Sequence, residues 1–480
     1  MTLAPRNADD SCLINQTVPA GVLVPPSEHL DEKSQLPNSN PNTGDDVEND
    51  VGRSYPVENA AVVPPVLPEG DGDDDDFPEG GLEGWLVVAG SFCSMMSVYG
   101  IINVAAVFES YFSSNQLAGY SSSTVGWIFS VYLFIVFFAG IQVGPIFDRY
   151  GPRVLVIVGS LLVVASQMLL GLCEEYYQIF LTYSVLGGIG GALLNVPSYG
   201  VIAHFFKQRR GLATGIAATS GSIGGIVFPI ILQSVIPTLG FAWATRIIGF
   251  ILLFLSAVAN LLMRSRLPPS PHPLSVVPDW ALFKDLKFSF CCGGIWFMEW
   301  GIFTPLTYIV SYGAAHGQSA NDSYTLLALL CAGSFFGRFL PGFLADRFGR
   351  FNVITITNAL CVVTVLAFWL PAGDSRAMLI VFALTFGFAS GSNLGLYPVC
   401  IGQLCDSRDY GRVFATAMMV GSFGTLTSLP IAGALLEIGS DREQGWLALI
   451  LFAALSYAIA MSCFLAARVL AVSWRVKEVY

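Results

Sequence analysis

The chain has 480 residues, of which 54% are hydrophobic and 12% are charged. Soluble globular domains usually carry about 25% charged residues, so the composition argues against a soluble protein. The formal net charge is −11, but residues 1–83 hold 18 acidic and 3 basic side chains while the rest holds 16 acidic and 20 basic ones. The acidic balance therefore belongs to one end of the chain, and no nucleic-acid partner is predicted for the body.

Residues 1–83 are predicted to form a disordered acidic cytosolic tail. They are rich in Pro, Asn, Ser and Asp, and they include the run DGDDDD at residues 71–76. Such a composition buries too little apolar surface to offset the entropy lost on ordering. We interpret the segment as a solvated extension or as a regulatory or trafficking tail, and it lacks the pattern of a signal peptide.

Apolar runs long enough to cross a bilayer recur along the rest of the chain. A spanning helix needs roughly 20 predominantly apolar residues. Twelve such runs lie near residues 85–108, 125–147, 154–173, 177–203, 212–237, 242–263, 288–312, 324–345, 353–371, 377–404, 413–436 and 446–467. The predicted fold class is an all-α membrane protein with twelve transmembrane helices in two pseudo-symmetric six-helix bundles.

The longest polar gap, at residues 264–287, separates six predicted spans from the other six. The predicted domains after the tail are an N-terminal bundle at 84–264, a cytosolic central loop at 265–287, a C-terminal bundle at 288–468 and a cytosolic tail at 469–480.

Basic residues predict the orientation in the membrane. With the N-terminus in the cytosol, 16 Lys and Arg residues fall on the inside and two, Arg376 and Arg442, fall on the outside. Cytoplasmic loops of membrane proteins carry the excess of basic residues. Both termini are therefore predicted to be cytosolic, with the plasma membrane as the location.

The two halves share sequence motifs. GPIFDRYG at residues 144–151 follows the second predicted span, and GFLADRFG at residues 342–349 follows the eighth, 198 residues later. A second echo joins RGLAT at 210–214 to RVFAT at 412–416, and each is followed by a GSxG sequence, at 221–224 and 421–424. Two matching six-helix halves are typical of carriers that rock around a central site.

The charged residues of these motifs are predicted gating residues: Asp148, Arg149, Asp346, Arg347 and Arg210. Ion pairs at helix ends can latch one state of a carrier and release in the other. The alternative is that the charges only set the topology through their sign.

No catalytic residue, metal site or cofactor is predicted. The ten cysteines form no CxxC motif and share no ligand spacing with histidines, and no GxxxxGK[S/T] sequence occurs. A metal centre, a disulfide framework and an ATP-driven pump are therefore disfavoured.

Three further segments carry a family resemblance: PEGGLEGW at residues 78–85, FFKQRRGLATG at 205–215 and AGSFFGRFLPGFLADR at 332–347. Together with the GxxxDR motif at 144–149, they resemble the major facilitator superfamily, and within it the monocarboxylate-transporter branch in fungi. The resemblance spans about residues 78–470. It implies the twelve-helix major facilitator fold and transport by alternating access.

Two positions depart from the proton-coupled animal members of that branch. Those members place a lysine in the first helix and an acid one turn before the arginine of span 8. Asn103 and Ser334 stand at these positions here, whereas the arginine is retained as Arg338. The resemblance therefore implies a carrier of riboflavin, an organic acid or a secondary metabolite, and it does not imply proton–lactate symport by that scheme.

Two ionisable residues are predicted at membrane depth, where charges are costly and usually functional. Glu299 follows Lys287 by 12 residues and Arg338 precedes Asp346 by 8. At 1.5 Å per residue they lie about 18 Å and 12 Å from the cytosolic face. We hypothesise that Arg338 binds an anionic or polar substrate and that Glu299 is its counter-ion or a proton carrier. The alternative is a structural ion pair within the C-terminal half.

Polar residues beside glycine and proline in spans 4 and 10 are further candidates. Asn195 and Asn393 are again 198 residues apart, and Tyr397 lies one turn after Asn393. These residues, with Asn103, are interpreted either as the lining of a shared cavity or as close packing around local kinks in broken helices.

The predicted function is secondary active transport of a small organic molecule, an organic acid or a secondary metabolite, with export favoured over uptake. Uptake of a monocarboxylate or a vitamin such as riboflavin is the first alternative, and a non-transporting nutrient sensor on the same scaffold is the second. Proton coupling and an accessory subunit stay open, and the predicted partners are the small-molecule substrate and the lipid bilayer.

Overall fold

The computed structural model describes residues 77–268, 278–436, 438 and 442–473. The acidic tail up to residue 76, the proline-rich centre of the loop between the halves and residues 474–480 lie outside the described residues. Within the described residues every regular element is a helix.

The N-terminal half contains six long apolar helices: α1 Gly81–Asn103, α2 Thr124–Tyr150, α3 Arg153–Leu170, α4 Tyr176–Phe205, α5 Arg210–Leu239 and α6 Phe241–Leu262. A short helix, Ala105–Ser114, continues α1 and completes the first predicted span. The predicted and observed spans agree because the apolar runs are both long enough and bounded by polar turns.

The C-terminal half contains the other six: α7 Leu286–Ala315, α8 Thr325–Phe348, α9 Arg350–Trp369, α10 Arg376–Ile401, α11 Tyr410–Leu436 and α12 Glu443–Val472. Eleven helices of the described chain are apolar enough to span a membrane by composition, and α7 falls below that level. Helix α7 has 30 residues, about 45 Å at 1.5 Å per residue. Glu299 and several Trp, Tyr and Gly residues lower its hydropathy, while its length exceeds the roughly 30 Å core of a bilayer.

Two glycines close the repeated motif in both halves. Gly151 between α2 and α3 has φ 75°, and Gly349 between α8 and α9 has φ 92°. A residue with a Cβ is strained in this left-handed region, so glycine permits the tight reversal from one helix to the next. The repeat in sequence is therefore a repeat of backbone geometry.

Helices α4 and α10 are continuous, and the expectation of broken helices in these spans is wrong. Pro197 and Pro398 lie inside helices that run on past them. A separate π-helical segment, Phe180–Gly187, lies within α4 well before Pro197. The glycines serve packing instead, because small residues let membrane helices approach closely.

The closest of these approaches joins α8 to α10. A methyl group on Gly337 would lie 2.0 Å from the carbonyl oxygen of Phe388, and one on Gly387 would lie 2.2 Å from that of Leu330. Backbone therefore touches backbone along this crossing, which holds α8 in place beside the centre of the molecule.

Replacing Gly337 by Ala is expected to destabilise the protein by about 1–3 kcal/mol, because overpacking forces one backbone away from the other. The measurement is the midpoint of thermal unfolding in detergent. The matched control is Gly126→Ala in α2, where a methyl group meets no atom within 4 Å. Equal midpoints for the two variants would contradict the close approach of α8 and α10.

Candidate functional site

A central cavity lies between the two halves. It contains about 680 Å³ of space free of protein atoms. Three helices of each half line it: α1, α2 and α5 from the N-terminal half, and α7, α8 and α10 from the C-terminal half. The lining is largely apolar and aromatic, with six residues that carry polar side chains other than tyrosine and cysteine: Asn103, Ser222, Glu299, Ser334, Arg338 and Ser390.

Arg338 is the cation of this cavity and is 7% exposed. Its Nη1 donates a 2.6 Å hydrogen bond to the carbonyl oxygen of Ala218 in α5, and its Nε donates to Ser334 Oγ at 3.3 Å. The guanidinium has five N–H donors, so donors beyond these two contacts are available to a ligand. Arg338 thus contacts the opposite half and faces the cavity at the same time.

Glu299 is the carboxyl group of the cavity and is 2% exposed. Thr425 Oγ1 in α11 donates a long hydrogen bond of 3.4 Å to its Oε2. A carboxyl group this deeply buried in a largely apolar wall is an expensive feature, which marks it as a functional candidate.

Arg338 and Glu299 line the same cavity without forming an ion pair. The ion pairs of the described residues include none between them, and each side chain bonds a different partner. The structural ion pair considered from the sequence is therefore absent from this conformation of the described chain. Because the two groups do not neutralise each other, the guanidinium can bind an anionic ligand and the carboxyl group can bind a proton.

A group of hydroxyl and amide side chains lies beside Arg338 at the junction of α1, α4 and α10. Tyr99 donates to Asn195 Oδ1 at 3.0 Å, and its hydroxyl lies 3.1 Å from that of Tyr199. The rings of Tyr199 and Tyr397 both lie against the ring of Phe414, with centroids 5.2 and 6.4 Å away. The structure thus places Asn195 and Tyr397 in one group with Tyr99, a residue that was not predicted from the sequence. The available signal was the four-residue spacing of Tyr99 and Asn103, which places both on one face of α1.

The remaining two candidates from the sequence lie in different places. Asn103 is half-buried in the cavity wall, and its Nδ2 donates to the carbonyl oxygens of Tyr99 and Gly221 at 2.8 and 3.1 Å. Asn393 is fully buried against α9, where its Oδ1 accepts from Thr357 at 2.7 Å. Asn393 therefore packs within its own half, although its repeat partner Asn195 lies beside the central group.

Two carboxylates tie the halves together at one side of the molecule, which we call the latch side. Asp148 at the end of α2 accepts from the backbone N–H groups of Gly411 and Arg412, at 2.8 and 2.7 Å. Asp346 at the end of α8 accepts from those of Gly211 and Leu212, both at 2.8 Å. Each carboxylate thus occupies the N-terminus of a helix in the other half, where free N–H groups and the helix dipole favour negative charge.

This geometry corrects the expected form of the latch. Ion pairs between the Asp and Arg residues of the two motifs were expected from the sequence, but the carboxylates of Asp148 and Asp346 bind backbone N–H groups instead. Arg149 and Arg347 are exposed, and Arg347 lies over the ring of Phe343 at 4.3 Å. Both oxygens of each carboxylate are bonded to backbone N–H groups of a helix end.

Arg210 forms a third set of hydrogen bonds between the halves at the latch side. It is buried, and its guanidinium donates to Gly402 O at 2.6 Å and Ser407 Oγ at 2.7 Å across the halves, and to Phe206 O at 3.0 Å in its own half. A buried arginine whose N–H groups bond across an interface holds that interface closed.

The segment before α1 makes a contact that was not predicted from the sequence. Glu79 accepts from the backbone N–H groups of Lys207, Gln208 and Arg209, at 2.6 to 2.9 Å. This carboxylate holds the turn that leads into α5, next to the first residues of α5, which Asp346 bonds. Glu79 belongs to the PEGG motif, so the motif itself was the available signal.

A twelve-helix membrane bundle with pseudo-symmetric halves, a shared central cavity and reciprocal contacts at one side has the architecture of a membrane carrier. The family model of the Major Facilitator Superfamily matches residues 87–428 and, in a second match, residues 289–478. The chain belongs to the major facilitator superfamily.

Individual relatives agree with this family. The chain is 40% identical to MFS-type transporter 1 of Ophiocordyceps sp. (strain BCC 1869), over 78% of this chain and 82% of that protein. It is 35% identical to Riboflavin transporter MCH5 of Saccharomyces cerevisiae, over 84% and 81%. It is also 35% identical to Aspyridones efflux protein apdF of Emericella nidulans, over 80% and 77%.

A solved structure shares the fold. The fucose:proton symporter FucP of E. coli superposes with a TM-score of 0.61, covering 79% of this chain and 98% of that one at 17% identity. The match confirms the predicted fold class.

Proposed function

We propose that this chain is a secondary active transporter that moves a small organic molecule, an organic acid or a secondary metabolite, across a membrane by alternating access. The observation that carries the proposal is the central cavity, which three helices of each half line and which holds Arg338 and Glu299. A site built from both halves changes its accessibility when the halves rock against each other.

The latch side supports the alternating-access part of the proposal. The four backbone hydrogen bonds of Asp148 and Asp346 join the halves on one side of the cavity. In our proposal these bonds hold that side closed, and they break when the halves rock to open it. Hydrogen bonds between a carboxylate and a helix N-terminus can break and re-form, so they suit a reversible gate.

The cavity chemistry and the relatives support the cargo class. One guanidinium within an apolar, aromatic wall suits an organic anion with a substantial apolar body. Export is favoured because Asn103 and Ser334 replace the charged partners of acid symport, and because two relatives are named efflux proteins. The monocarboxylate-transporter-like branch is part of the same proposal.

Uptake of a vitamin or a monocarboxylate is the second candidate function. A relative named a riboflavin transporter supports it. The aromatic side chains of Phe137, Phe303 and Phe386 line the cavity and offer faces for a flat ring system.

We further place the latch side and both termini in the cytosol, with the plasma membrane as the location. The support is the distribution of basic residues along the chain, 16 inside against two outside. In this arrangement the predicted domains are the two bundles at 84–264 and 288–468, joined by a cytosolic loop.

Deletion of the gene followed by metabolite profiling of cells and medium tests the direction of transport. For an exporter, one compound class accumulates inside the deletion cells and falls in the medium. For an importer, the same compound is depleted inside. Flux of that compound into proteoliposomes then separates a carrier from a sensor, because a sensor gives no flux above protein-free vesicles.

In our proposal Glu299 carries a coupling proton, so Glu299→Gln is expected to abolish proton coupling while leaving exchange of the cargo intact. The amide keeps the shape of the side chain and removes the exchangeable proton. The measurement compares accumulation driven by an imposed pH gradient with counterflow at equal pH. The matched control is Glu109→Gln, which removes a carboxyl group outside the cavity lining. Unchanged gradient-driven accumulation in Glu299→Gln would exclude Glu299 as the proton carrier.

A further inference from the structure

Helix α8 contacts α5 through residues spaced by four, which share one helical face. Asp346 bonds the N-terminus of α5. Gly342 follows inward, where an added methyl group would lie 2.5 Å from the carbonyl oxygen of Gly211. Arg338 comes next, and its guanidinium bonds Ala218 O at 2.6 Å. One continuous crossing therefore runs from the latch to the cavity, and Arg338 is its cavity end.

Gly221 makes the room in which this guanidinium sits. A methyl group there would lie 2.5 Å from Arg338 Nη1 and 3.1 Å from Tyr99 Cβ. The carbonyl oxygen of Gly221 also accepts from Asn103 at 3.1 Å. The space beside Gly221 and the carbonyl of Ala218 together form a seat for the guanidinium on α5.

The matching contact between the halves, where α2 crosses α11, lacks this seat for a guanidinium. The position in α2 that lies 198 residues before Arg338 is Gly140, where a methyl group would contact Val196 Cγ2 at 3.2 Å within its own half. The GSxG repeat differs in the same way: a methyl group on Gly421 would lie 3.1 Å from Ile295 Cγ2, a side chain of its own half. The repeated motifs therefore form a seat for a cation at the α5–α8 crossing, whereas the matching positions Gly140 and Gly421 pack against apolar side chains.

We propose that Gly221 is a positioning residue that seats Arg338 on the Ala218 carbonyl, so that the empty carrier is held in its latch-closed state by its own cargo-binding cation. An anion entering the cavity takes guanidinium donors from Ala218, and this exchange loosens the inner end of the α5–α8 crossing. Cargo occupancy is thereby coupled to the latch-open state through the α5–α8 crossing alone, whichever side the cargo enters from. The proposal deepens the proposed function and rests on it for the identity of Arg338 as the cargo site.

The experiment measures the conformation of the full chain without any cargo. Fluorophores are carried by non-canonical amino acids at Tyr150 and Phe348, which are exposed at the latch-side ends of α2 and α8, and the native cysteines stay unchanged. Single-molecule energy transfer in nanodiscs then gives the ratio of latch-open to latch-closed molecules. Gly221→Ala is expected to raise this ratio roughly tenfold or more, the effect of losing one hydrogen bond from a charged donor. Gly421→Ala, the matched control, is expected to change it by less than about threefold, because side chains can shift to admit a methyl group.

A second variant separates positioning from simple packing. In an Arg338→Gln background the seat is already empty, so Gly221→Ala is expected to produce no further change in the ratio. An equal shift by Gly221→Ala in both backgrounds, or equal shifts by Gly221→Ala and Gly421→Ala, would overturn the proposal.

The proposed function is tested independently of this result. If Gly221→Ala shifts the ratio but Arg338→Gln transports normally, Arg338 is a tie between the halves and the cargo assignment fails. If Arg338→Gln abolishes transport but Gly221→Ala leaves the ratio unchanged, the cargo assignment stands and the seat fails.

Discussion

Arg338→Gln is expected to reduce transport of the cargo by about 30-fold or more. The guanidinium and the anionic cargo would form a buried charge pair, and truncating one partner of such a pair costs about 2–5 kcal/mol. Glutamine is shorter and uncharged, so it neither reaches Ala218 nor neutralises an anion in the apolar cavity. The measurement is export of the compound that accumulates in the deletion cells, from cells that carry the variant at a matched amount of protein.

The control makes the same chemical change away from the cavity. Arg246→Gln removes a half-buried arginine that lies over the ring of Trp243 at 5.2 Å in α6. Its transport is expected to stay within about twofold of the unmodified chain, because a single cation–π contact on the exposed ring of Trp243 contributes only about 0.5–1 kcal/mol. Normal transport by Arg338→Gln, at normal expression, would remove Arg338 from the cargo site.

Asp148→Asn and Asp346→Asn are each expected to shift the carrier away from the latch-closed state, by about 2–3 kcal/mol for the lost charge-assisted bonds to helix N–H groups. The asparagine side chain offers one carbonyl oxygen in place of two carboxylate oxygens, and its NH₂ group faces an N–H donor. The two sites lie at different helix crossings, so the double variant is expected to show nearly the sum of the single effects. Energy transfer between labels at Tyr150 and Phe348 measures the shift.

Arg149→Gln is the control for these variants. It removes the neighbouring exposed charge without touching the bonds of Asp148. Its effect on the open-to-closed ratio is expected to be less than about threefold, as is usual for exposed charges. If Arg149→Gln matched Asp148→Asn, then net charge at this side, rather than the carboxylate at the helix end, would control the gate.

Individual residues show how far sequence patterns reach. The motif repeat identified Asp148 and Asp346 as equivalent, and the structure gives them equivalent bonds. The same repeat also paired Asn195 with Asn393, yet only Asn195 lies beside the central group of tyrosines. A repeat in sequence predicts backbone position, but it does not predict which neighbours each helix face meets.

The hydrogen-bond partners of the two buried charged side chains could not be predicted from the sequence either. Arg338 and Glu299 were expected to be close because their helices are consecutive, and both do line one cavity. Their actual partners, Ala218 and Thr425, lie 120 and 126 residues away along the chain. Backbone carbonyls and hydroxyl groups occur everywhere in a sequence, so no pattern indicates which of them hydrogen-bonds a given charged side chain.

The sequence by itself determined the apolar spans, the division into six and six, the repeat and the family. These follow from the length of apolar runs and from local motifs, which act over one helix or one turn. Only the tertiary structure decided that the latch is made of carboxylates on helix ends rather than of ion pairs, and that Arg338 bonds the opposite half beside Gly221. The physical reason is that both features are contacts between distant helices, and their geometry arises only when backbones approach closely enough for a single methyl group to matter.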